Sequence, residues 1–122
     1  MTRTVIAVAI VAALAGTSRV SAHHSYAAYD TSRIVEINGV IEEFHMISPH
    51  SLLKVKAEDG RVYTFEWLAI AAIKRWGIDA ETLKVGDRLV VGGQPRRDIE
   101  ESGILNCKSV LRPSDGWKWP NR

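Results

Sequence analysis

The chain has 122 residues, 25% of them charged, with 16 Lys and Arg against 14 Asp and Glu. That length bounds it to one domain with a core of its own, and its single cysteine excludes an internal disulfide. A formal net charge of only +2 lacks the electrostatic footprint of a non-specific nucleic-acid or membrane-surface binder.

Residues 1–22 open with a short basic start at Arg3, continue as an apolar run from Val5 to Ala15, and end in Val20-Ser21-Ala22. This is the pattern of a secretory signal, too short for a membrane span. No cysteine follows the apolar run to accept a lipid. Removal of Arg3 and Arg19 takes Lys and Arg from 16 to 14, level with 14 Asp and Glu. The expected product is a neutral chain of 100 residues, periplasmic or secreted, with no membrane span after cleavage and no nucleic-acid partner.

Residues 23–32, HHSYAAYDTS, carry no periodicity and are expected to form an arm. From Arg33 to His50 the chain is the longest strand-like run. Val35, Ile37, Gly39 and Ile41 alternate with Glu36, Asn38, Val40 and Glu42, the period of a strand with one buried face. Gly39 in mid-strand marks a bulge or bend, as a first strand shared by two sheets requires. Pro49 ends the run by removing a donor.

Ser51–Ala57 and Arg61–Trp67 read as the next two strands around a turn at Asp59-Gly60. A two-residue loop would place Lys54 beside Phe65 and Lys56 beside Tyr63. These four residues would then form an exposed basic and aromatic platform for a protein or glycan. A three-residue loop pairs Ala57 with Arg61, sets Val55 against Tyr63 and Leu53 against Phe65, and sends the rings inward. The two differ by a one-residue slip. The inward register buries more apolar area and is the expected one.

Leu68 to Trp76 changes to helical spacing, with Lys74 and Arg75 at its C-terminal end and Gly77 as a stop. Arg88–Gly92 is a fourth strand, Gln94–Gly103 a charged loop and Ile104–Leu111 a fifth strand. The expected fold is all-β, a five-stranded barrel of the oligonucleotide/oligosaccharide-binding type with strand order β1-β2-β3-α-β4-β5 and one short helix. It occupies 33–112, with a tail at 113–122.

Chemistry-bearing residues are few. Cleavage after Ala22 would make His23 the first residue, so that its free amine and ring nitrogen chelate one metal. His24 offers a second chelate through amine, amide and ring. Nitrogen-rich sites of this kind favour copper(II). A tail whose histidines bind nothing is the plainer reading of the same residues. His50 is a third candidate ligand, but a first strand of about 14 residues spans roughly 45 Å if straight. The arm reaches about 33 Å at most, so only a curled strand and a folded-back arm would join His23 to His50. Arg96 and Arg97, in the loop flanking the usual ligand face of this barrel order, are candidates for holding an anion. Cys107 alternates with Leu105 on a strand face and is expected to be a buried thiol. No nucleophile, base and acid can be assembled from these spacings, so a binding protein is expected rather than an enzyme.

His23-His24-Ser25, Pro49-His50, Asp59-Gly60, Leu83-Lys84-Val85-Gly86-Asp87 and Gly116, in this order, resemble a family of small secreted bacterial proteins of unknown function. That family carries Asn-Pro-His after its first strand. Here Ser48 replaces the Asn, and Met46 stands where a Trp is usual. The resemblance spans essentially all of the mature chain and implies the fold and compartment, without an activity.

Overall fold

The computed structural model describes residues 27–121. The expected signal at 1–22 and both arm histidines, His23 and His24, lie outside them. Among the described residues six strands form, β1 (Val35–His45), β2 (Leu52–Ala57), β3 (Val62–Glu66), β4 (Arg88–Pro95), β5 (Ile104–Arg112) and β6 (Trp117–Trp119), with helices α1 (Ile70–Arg75) and α2 (Ile99–Ser102). Neither helix is long or apolar enough to cross a membrane.

β1 is the shared strand. Its first half pairs antiparallel with β4, Val35 opposite Gly93 through Val40 opposite Arg88. Its second half pairs with β2, Gly39 opposite Ala57 through His45 opposite Leu52. Gly39 belongs to both ladders, and a Cβ there would meet the Lys56 carbonyl and lie 2.8 Å from Val55 Cγ1. Glycine is needed for that approach of two backbones. The register shifts two residues later, between Ile41 and Glu43, where the strand turns from one sheet to the other. β4 pairs antiparallel with β5. Parallel pairing of β3 with β5, Thr64 opposite Ile104 through Glu66 opposite Asn106, closes a five-stranded barrel. The all-β barrel expected from the strand order is therefore the observed fold.

The hairpin takes the three-residue loop. Ala57 N–H donates to the Arg61 carbonyl at 2.9 Å, and Gly60 adopts φ +85°. Leu53 consequently faces Phe65 and Val55 faces Tyr63. Leu53, Val55 and Phe65 are completely buried, with Ile41, Leu89, Val91 and Leu105 around them. α1 closes one end of the barrel with Ile73, fully buried, followed by Ile78 and Leu83. It stops as expected, Gly77 N–H reaching the Lys74 carbonyl at φ +75°.

Three segments hold more structure than their composition suggested. β4 runs on to Pro95, and α2 forms inside the expected 94–103 loop. Gly103 ends α2 in the left-handed region at φ 63°, and Arg61 donates to the Ile99 and Glu100 carbonyls at 2.5 and 2.8 Å. The tail returns as β6, pairing Val110 with Trp119 and Arg112 with Trp117. Arg112 anchors it, bonding Asp115 at 2.9 Å, Asp87 at 3.0 Å and the Thr82 carbonyl at 2.7 Å. The arm docks from Ala27 onward. Tyr29 bridges to Arg96, and Asp30 N–H donates to the Pro95 carbonyl at 2.8 Å.

Candidate functional site

A cavity of about 320 Å³ opens where the arm, the β1–β2 loop and the end of β3 meet the middle of β5. Its polar lining is Tyr29, His50, Glu66, Asn106 and Lys108. Pro49, Leu68, Cys107 and the rings of Trp67 and Trp119 supply the apolar wall. A concave, mostly apolar space with a few polar groups is the usual form of a small-ligand site.

The five polar groups arrive from four parts of the chain, Asn106 and Lys108 sharing β5. Glu66 and Asn106 are partners in the parallel β3–β5 pairing. Lys108 lies two residues further along β5, on the same outward face as Asn106. His50 follows the cis Ser48–Pro49 peptide and is exposed. Its neighbour Ser51 is buried and tied to Leu68 and Trp67 through main-chain bonds of 2.9 and 2.8 Å. That pairing brings the β1–β2 loop against the end of β3 and so sets His50 on the rim.

Tyr29 closes the remaining side. Only 5% of it is exposed, and its phenol donates to Glu66 Oε2 at 2.6 Å. Burial first, and then the bond to Glu66, push the Tyr29 phenol well above its ordinary range, so it remains a donor. Behind the cavity runs an aromatic stack. Trp119 meets Trp76 edge-on at 5.9 Å and Trp67 at 5.1 Å, and Trp67 meets Phe44 at 6.1 Å. The indole N–H groups of Trp67 and Trp119 are buried there without a hydrogen-bond partner among the described residues. Packing of this kind buries Trp67 and Trp119, with Phe44 and Trp76 partly buried beside them.

The residues singled out from sequence fall in three places. His50 lines the cavity. Arg96 and Arg97 belong to the arm junction instead. Arg96 Nε bonds Asp98 Oδ1 at 3.0 Å, and Arg97 donates to the carbonyls of Ala28 through its main chain and Ala27 through Nε. The Arg96 guanidinium in turn holds the Asp98 carboxyl below its usual range. His23 and His24 precede the first described residue. Among the described residues no group of three His, Cys, Asp or Glu side chains could hold a metal.

Two expectations are settled by geometry. The exposed platform of Lys54, Lys56, Tyr63 and Phe65 does not form, because the observed register sets Lys54 opposite Thr64 and Lys56 opposite Val62 while Phe65 goes into the core. The lysines pair instead with Glu43 and Glu42, at 3.2 and 4.0 Å. Cys107 is buried as expected, and burial raises its thiol far above the ordinary range. Sequence reasoning passed over Tyr29, Glu66, Asn106, Lys108 and Trp119. The one available signal was aromatic residues in segments without periodicity, Tyr29 in the arm and Trp119 in the tail.

A family model described as Family of unknown function (DUF6152) matches residues 10–106. The chain belongs to this family. No curated protein and no solved structure shows significant similarity to it. Within the DUF6152 match lie the barrel from β1 to Asn106 and the loop carrying His50, whereas Cys107, Lys108 and β6 with Trp119 fall beyond it.

Proposed function

We propose that this DUF6152 protein is a non-enzymatic metal-binding accessory protein that works in the periplasm or outside the cell. Copper(II) is its preferred metal, held by His23, His24 and His50. The observation that carries the reading is that Tyr29 of the arm and His50 of the β1–β2 loop line the same cavity. His23 is six residues before Tyr29 in the chain, a span of at most about 20 Å. A shared cavity for Tyr29 and His50 supports a joint site, because it leaves only that short span to be bridged. The amine, imidazole and amide nitrogens of a chain that begins His-His suit copper(II) over other divalent first-row ions. The basic, apolar and small-residue sequence of 1–22 supports export. Cys107, the sulfur in the cavity wall, is held protonated by burial, which argues against a thiolate nucleophile there.

The test is a copper(II) titration of three chains. One begins at His23, one carries an extra alanine before it, and one begins at His23 with His50→Ala. Tight binding by the first, lost in the second and weakened in the third, is expected. Equal binding by the first two would overturn the reading, and an unchanged third would remove His50 from the site.

A further inference from the structure

The cavity also has a charge balance of its own, which does not depend on metal. Two of its polar groups are already engaged. Glu66 accepts the Tyr29 phenol at 2.6 Å and feels the nearby Arg96 guanidinium. Asn106 spends one amide hydrogen on Gln94 Oε1 at 3.3 Å and keeps the other. Lys108 and His50 make no ion pair or hydrogen bond with the described residues, although most other cations of the barrel are paired, Arg33, Lys54, Lys56, Arg61, Arg88, Arg96 and Arg112 among them. The cavity mouth therefore offers an unneutralised ammonium, an amide N–H and an imidazole, while its carboxylate is satisfied from the arm side.

Behind these donors the wall is apolar and aromatic. Trp67, Trp119, Leu68 and Pro49 face the same space. Lys108 stands on β5 two residues beyond Asn106, the partner of Glu66, and lines the cavity together with Trp67 and Trp119. We infer that the cavity binds a small aromatic carboxylate. The ring lies against the Trp67 and Trp119 side, and the carboxylate is held at the rim by Lys108, with Asn106 and His50 as further donors. A space of about 320 Å³ is at the small end for ligand pockets, which limits the body to about one ring with a short acid arm. Charge-assisted bonds at a partly dry rim make the acid preferred over neutral or cationic analogues of the same shape.

Benzoate, benzyl alcohol and benzylamine serve as probes, titrated calorimetrically into the chain carrying the extra N-terminal alanine, with EDTA present. These conditions remove metal-bridged carboxylate binding, so the outcome is independent of the copper reading. Benzoate is expected to bind and the other two to bind at least about tenfold more weakly. Lys108→Met should cost benzoate about tenfold or more while leaving benzyl alcohol unchanged. Lys108→Arg should retain binding, and so should Lys118→Met, whose exposed side chain is not part of the cavity lining. Tryptophan fluorescence reports the same titrations through Trp67 and Trp119. Absence of benzoate binding at millimolar concentration, equal binding of benzylamine, or indifference to Lys108→Met would each overturn the assignment.

Discussion

The phenol of Tyr29 donates to Glu66 at 2.6 Å across 37 residues of sequence, joining the arm to the last residue of β3. This bond holds the described part of the arm over the cavity and satisfies the only carboxylate among the described residues of its lining. Tyr29→Phe keeps the ring and leaves the carboxylate short of a partner. A loss of about 1–3 kcal/mol in urea unfolding is expected, with faster proteolytic clipping of the arm. The pH dependence carries a sign that can be checked. The folded state raises the Tyr29 pKa, so its share of stability is whole below the unfolded value of about 10 and is lost as pH rises beyond it. The alkaline decline of the wild type should be shallower in Tyr29→Phe. Parallel curves above pH 10 would show that the bond is not held in solution.

Gly39 is a residue at which β1 pairs with β2 and β4 at once. Gly39→Ala would drive a methyl against the Lys56 carbonyl and to within 2.8 Å of Val55 Cγ1. Backbone cannot yield as a flexible side chain does. The expected cost is about 3 kcal/mol, the upper part of the range for overpacking, read as a lowered urea midpoint. An alanine variant of wild-type stability would mean that β1 and β2 do not approach so closely there.

The hairpin register makes a contrast within one pair of strands. Phe65 is completely buried opposite Leu53, so Phe65→Ala should cost about 3–5 kcal/mol. Lys54→Ala and Lys56→Ala remove exposed ion pairs and should each change stability by about 0.5 kcal/mol or less. A mild Phe65→Ala would restore the exposed aromatic face. Chemical denaturation of the three variants decides the matter.

Much of the barrel was legible before any coordinates. Val35, Ile37 and Ile41 at alternate positions marked the buried side of β1, and Gly39 marked its special backbone. The composition of 68–77 announced a helix and its stop. Asp59-Gly60 announced a hairpin, though local turn chemistry admitted two registers, and only the burial of Leu53, Val55 and Phe65 together separated them. β6 escaped notice because three residues are too few for a periodic signal. α2 escaped because its four residues depend on a partner elsewhere, Arg61 on β3's approach.

The candidate site was much less legible. His50 was found from its motif, but Tyr29, Glu66, Asn106, Lys108 and Trp119 come from four separate segments, the arm, β3, β5 and β6. Only the aromatic Tyr29 and Trp119 stand out within their own segments. Strand faces, turn positions and the helix stop follow from side-chain alternation and backbone conformations that act over a few residues, and the sequence alone determined those. Which groups share a cavity was decided by the parallel closure of β3 on β5 and by the docking of both chain ends. Such contacts join residues tens of positions apart, and their energy comes from burial that exists only once the barrel has closed.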